Sequence, residues 1–187
     1  MRRMLDGLYA LSGWAAALSV VAIAALVAAQ VSLNLADKVL GGLGLPRLGV
    51  TIPSYADFTG FFLAAASFLA LAGTFRAGGH IRVTLLTSRL GGAAGRMVEV
   101  FAVALAAAAT LYFTWFTGLL VLESLEFGDM SSGMVAVPIW IPQSGMLAGL
   151  AVLSVALIDE LSGLLRGDQP SYAGKGEDLL ADPARGE

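Results

Sequence analysis

Four long stretches of this chain carry no charged side chain: residues 7–36, 58–75, 100–122 and 130–158. A helix that crosses a bilayer needs roughly 20 mostly apolar residues, because the backbone must satisfy its own hydrogen bonds in hydrocarbon. Each stretch meets that demand together with its flanks. Composition agrees: 57% of residues are hydrophobic and 13% charged, against about 25% charged in a soluble domain. The expected fold class is therefore an all-α integral membrane protein with four transmembrane helices, over about residues 8–33, 55–74, 97–122 and 138–165. Residues 1–166 form the membrane domain. Residues 167–187, rich in Gly, Asp, Glu and Pro, are expected to be a disordered tail, since they offer little apolar surface to bury.

The start, MRRMLDGLYALSGWAAALSVVAIAALVAAQ, is similar to a secretory signal. The apolar core of a signal is about 7 to 15 residues, and this run is about twice that, so length favours a retained first helix. Lysine and arginine divide unevenly between the two sides that four helices define. Arg2, Arg3, Arg76, Arg82, Arg89, Arg96, Arg166, Lys175 and Arg185 share one side, and only Lys38 and Arg47 the other. The positive-inside rule then puts both termini and the second loop in the cytoplasm. The short loop ESLEFGDMSSG, with Glu123, Glu126 and Asp129 and no basic residue, faces outward.

The second loop holds the only histidine, within TFRAGGHIRVTLL. Arg82, Arg89 and Arg96 recur every seven residues and share one stripe of a helix; Val83, Leu86, Leu90 and Met97 form an apolar stripe beside it. That pattern reads as a short interfacial helix over residues 81–90, arginines at the lipid headgroups. A plain basic loop is the alternative, because Gly91, Gly92 and Gly95 weaken a helix. His80 reads as a structural anchor, with proton chemistry or partner contact as the other readings.

Polar residues inside the expected helices are few. Asp6, Asp37, Asp57, Glu99, Glu123, Asp159 and Glu160 all fall at helix ends. Gln30 and Asn34 share a face of the first helix, and Gln143 and Ser144 sit near the start of the fourth; interhelical hydrogen bonding suits them. No nucleophile–base set, metal-ligand cluster or cysteine suggests an enzyme, a cofactor or a metal site, and no basic tract with aromatics suggests nucleic acid. Small residues recur at four-residue spacing: Gly60 with Ala64, Ala104 with Ala108, and Gly145 with Gly149. They let helices approach closely, within the chain or against another. Trp14, Trp115 and Trp140 read as interfacial or packing anchors.

At this point GFFLAAASFLALAGTFRAGGHIRVTLL resembles the second-helix signature of the small permease subunit of TRAP transporters, the DctQ-like family. Gly60, Arg76, Gly78, His80, Ile81, Arg82 and Val83 match its glycine and its Arg–x–Gly–x–His–Ile/Val–Arg–Val block. PIWIPQSGMLAGL is similar to the start of the family's fourth helix through Pro138, Trp140 and Pro142. The family often has aspartate after the valine; here Thr84 stands there, so that carboxylate's role does not carry over. Asp57 stands for the family's acidic residue before helix two.

The resemblance implies a tripartite, sodium-coupled importer of organic acids in a bacterial inner membrane. An extracytoplasmic solute-binding protein delivers the substrate. A large membrane subunit carries substrate and sodium. The small subunit braces the large one and helps dock the binding protein, which offers a role for Glu123, Glu126 and Asp129. The signature residues would be cytoplasmic and structural. Two other readings stay open: a stand-alone oligomeric channel or carrier, and a membrane enzyme or redox subunit.

Overall fold

The computed structural model describes residues 2–78, 93–168 and 171. These residues form four helices, each long and apolar enough to cross a membrane: α1, Arg2–Gly42; α2, Tyr55–Arg76; α3, Ala93–Phe127; and α4, Trp140–Arg166. The expected interfacial helix at residues 81–90 lies outside the described residues, as does the tail except for 167, 168 and 171.

The helices stand in a row rather than a closed bundle. α1 packs on α2, α2 on α4, and α4 on α3; α1 also meets α4 briefly, and among the described residues no comparable packing of backbones joins α3 to α1 or α2. α2 and α4 are thus the centre and α1 and α3 the edges. The edges present apolar side chains outward: Leu11, Trp14 and Leu18 on α1, and Phe101, Trp115 and Phe116 on α3, are all half exposed or more. In water such surfaces would drive association; in hydrocarbon they are at home.

Close packing explains the centre. Gly149 of α4 lies directly on the backbone of Phe68 and Leu69 in α2, where a Cβ would overlap main-chain atoms. Gly145, one turn earlier, meets Ala65. The Ser12 hydroxyl of α1 donates to the Leu69 carbonyl of α2 at 2.6 Å. α2 is therefore held to its two neighbours by different means: backbone approach to α4 and a hydroxyl bond to α1. Between α3 and α4, Val103, Ala107, Leu157 and Leu164 form a buried cluster, and the hydroxyls of Thr114 and Ser154 are hydrogen-bonded at 3.0 Å.

α1 outruns its apolar core. Its 41 residues extend about 60 Å at 1.5 Å each, twice the roughly 30 Å of bilayer hydrocarbon. Gln30 marks where the excess begins. Its Oε1 accepts from the Ile52 N–H at 2.8 Å, just before α2 starts, so residues 31–42 project past the start of α2. The connecting loop runs back along this projection. Asp37 fastens it by accepting from the N–H groups of Leu48, at 2.7 Å, and Gly49, at 3.0 Å.

Candidate functional site

Two regions of the layer gather the side chains of interest. At one end, Arg76 closes α2 where three helices converge. Its guanidinium donates to Asp159 of α4 at 3.0 Å, lies 3.5 Å from Asp6 of α1, and stacks over the Tyr9 ring with 5.0 Å to the centroid. Tyr9, Ala72 and Ala156 are buried beneath it. A cation at the C-terminus of α2 also complements that helix's dipole. Arg76 is thus a three-helix clasp. Gly78 follows in the left-handed conformation at φ 74°, a geometry that favours glycine, and ends the helix.

α4 ends nearby. Gly167, at φ 102°, closes it: Asp168 N–H bonds the Gly163 carbonyl and Gly167 N–H the Leu164 carbonyl. Arg96, in the first turn of α3, donates to the same Leu164 carbonyl at 2.6 Å. Glu160 is buried, and its carboxylate accepts from both the N–H and the hydroxyl of Ser171, at 2.8 and 2.5 Å. A buried carboxylate needs such donors. From sequence Glu160 reads only as a helix-end charge; its place on the inward stripe of α4, a turn after Ala156 and a turn before Leu164, is the signal that it is buried.

At the opposite end, the loop between α3 and α4 is ordered by its own backbone. Ser131 N–H donates to the Val137 carbonyl at 2.8 Å, Ile139 N–H to the Asp129 carbonyl at 3.0 Å, and Met130 bridges Pro138. This loop rests on the start of α2. The Val135 N–H donates to the Ser54 hydroxyl at 2.9 Å, and Gly133 sits so close to Asp57 that a Cβ would overlap the carboxylate. Ser54 itself takes the left-handed conformation, φ 55°. Asp57 thereby has a structural role. It lies in the first turn of α2, favourable for the dipole, and supports the loop.

Glu123, Glu126 and Asp129 are exposed at this end, the first two on one face of α3 and the third just after it. No ion pair joins them among the described residues. Gln30 and Asn34 bond each other within α1, and Gln30 holds the loop rather than another helix.

Gly60 differs from Gly145 and Gly149. It lies on the exposed stripe of α2 with Ala56, Leu63, Ser67 and Thr74, spaced three, four or seven residues apart. A Cβ at Gly60 would meet nothing within 4 Å. Packing among the described residues does not use that glycine. His80, Ile81, Arg82, Val83 and Arg89 lie outside the described residues, so of the histidine block only Arg76 and Gly78 are placed.

The family model described as Tripartite ATP-independent periplasmic transporters, DctQ component, matches residues 46–167. That span runs from the α1–α2 loop to the end of α4 and takes in the Arg76 clasp, the ordered loop and Gly60. No curated protein and no solved structure matches the chain. The match covers well over half of the sequence and three of its four spanning helices, and on that ground the chain belongs to the DctQ component family of the tripartite ATP-independent periplasmic transporters.

Proposed function

We propose that this chain is the small membrane subunit of a sodium-coupled, binding-protein-dependent importer of organic acids, and that it braces the large transport subunit through the open face of α2. Family membership supplies the partnership. The observation that carries the choice of face is Gly60. A glycine inside a helix costs about 1 kcal/mol against alanine, and here it gains no close approach among the described residues. With Ala56, Leu63, Ser67 and Thr74 it makes a face of mostly small side chains on a central helix, suited to a helix from another subunit.

Both termini and the Arg76 end lie in the cytoplasm in this reading, as the arginine distribution favours. The histidine block, to which Arg76 and Gly78 belong, then has a structural role at the cytoplasmic membrane face. The opposite end faces the binding protein. Glu123, Glu126 and Asp129 stand there exposed and contribute charge to docking, with the ordered loop as their support. Substrate and sodium are carried by the large subunit; this chain performs no chemistry and needs no cofactor. Site-directed cross-linking tests the arrangement. A cysteine at Ser67, in this cysteine-free chain, should cross-link to the co-expressed large subunit, while one at the lipid-facing Leu18 should not.

A further inference from the structure

At the arginine-rich end an open groove of about 600 Å³ runs between α3 and α4. Met97, Val100, Phe101 and Ala104 form its α3 wall and Leu165 its α4 edge. Met97 and Phe101 of the edge helix α3 and Leu165 of α4 are 73%, 69% and 68% exposed. Their place is against hydrocarbon. Among the described residues, Arg96 is the one charged side chain that lines the groove, and it stands at the end where α3 begins.

Arg96 uses one nitrogen to cap the Leu164 carbonyl. A guanidinium has five N–H donors, so others remain for an anion. The first turn of α3 holds no acidic residue, and Glu99, a turn further on, does not line the groove. From Arg96 to Ala104 the apolar wall descends about 12 Å, close to the roughly 15 Å depth of one leaflet's hydrocarbon. A cation at the headgroup level with an apolar channel one leaflet deep beneath it matches the shape and charge of a phospholipid.

We propose that this groove binds an anionic phospholipid, one acyl chain lying between α3 and α4 and the phosphate on Arg96. An apolar helix from a partner would fill the channel yet offer nothing to the guanidinium. A zwitterionic lipid carries its own cation beside the phosphate and gains less from Arg96. Basic pockets between helices on the cytoplasmic side are a known means of holding acidic headgroups. The groove lies between α3 and α4, away from the α2 face proposed for the large subunit, so the two proposals concern different helices.

The test is lipid binding by native mass spectrometry. The full chain, purified with whatever subunits accompany it and stripped of lipid, is titrated with phosphatidylglycerol and, separately, with phosphatidylcholine. Phosphatidylglycerol should bind about fivefold more tightly, the factor that one basic residue at an anionic surface supplies. Arg96→Gln should abolish that preference. Ala104→Phe, which fills the channel and leaves the charge in place, should weaken both lipids. Equal binding of the two lipids to the unaltered chain would overturn the proposal. So would an undiminished preference in Arg96→Gln, or full binding in Ala104→Phe.

Discussion

The guanidinium of Arg76 and the carboxylate of Asp159 lie 3.0 Å apart, joining the end of α2 to the later turns of α4, residues 83 positions apart in the chain. Arg76 is 20% exposed and Asp159 35%, so water screens the pair only in part. Removing the cation as Arg76→Met leaves Asp159, and Asp6 beside it, without this cation. The expected loss is about 1–2 kcal/mol, between that of an exposed ion pair and a buried one. Thermal unfolding of the purified chain in mild detergent measures it. Arg76→Lys should recover part of the stability, because it restores the charge without the planar fork.

Gly149 and Gly60 should respond oppositely to the same change. Gly149→Ala pushes a methyl into the backbone of Phe68 and Leu69 and should cost about 1–3 kcal/mol, the usual cost of overpacking. Gly60→Ala meets open space and should leave the isolated chain as stable or up to about 1 kcal/mol more stable. Paired unfolding curves of the two variants decide this. Equal destabilisation would mean that Gly60 is already in use within the chain.

These two glycines also mark the reach of sequence reasoning. The charge-free runs made four spanning helices legible, because hydrocarbon excludes charge so strongly that length and composition alone carry the signal. The order of helices in the row was not legible: Gly60 and Gly149 both sit in small-residue patterns, and only their neighbours distinguish a packed glycine from an open one. The reach of α1 to Gly42 was hidden because Asp37 and Lys38 look like a helix end, whereas the Asp37 carboxylate is engaged by loop N–H groups. The Arg76 clasp was half visible. Asp6, Arg76 and Asp159 fall at the same end by topology, but their approach depends on α1, α2 and α4 converging there.

Gly133 should resist even a small side chain. Gly133→Ala overlaps the Asp57 carboxylate and disturbs the Val135–Ser54 hydrogen bond. Faster proteolysis within residues 128–138 is the expected result, with the spanning helices intact. A Cβ at Gly133 also meets the Ser54 hydroxyl, so Asp57→Ala in the same chain removes only the deeper overlap and should restore part of the protection. Protection no better in the double variant than in Gly133→Ala would show that the carboxylate contact is not the cause.

Glu123, Glu126 and Asp129 supply the docking prediction. Replacing all three by neutral amides should leave folding unchanged, since all are exposed and no ion pair joins them among the described residues. Transport by the assembled system in proteoliposomes should show a higher apparent KM for loaded binding protein, with a steeper loss at low salt, where exposed charges are least screened. Identical kinetics at every ionic strength would remove these residues from the docking surface.

The most direct test of the central claim is cross-linking from α2 in native membranes. With a single cysteine at Ser67, on the open face beside Gly60, the chain should form one major adduct of large-subunit mass, and Gly60→Leu should suppress it. Recovery of the chain uncross-linked, or joined only to copies of itself, while the large subunit is present in the same membrane, would contradict the account.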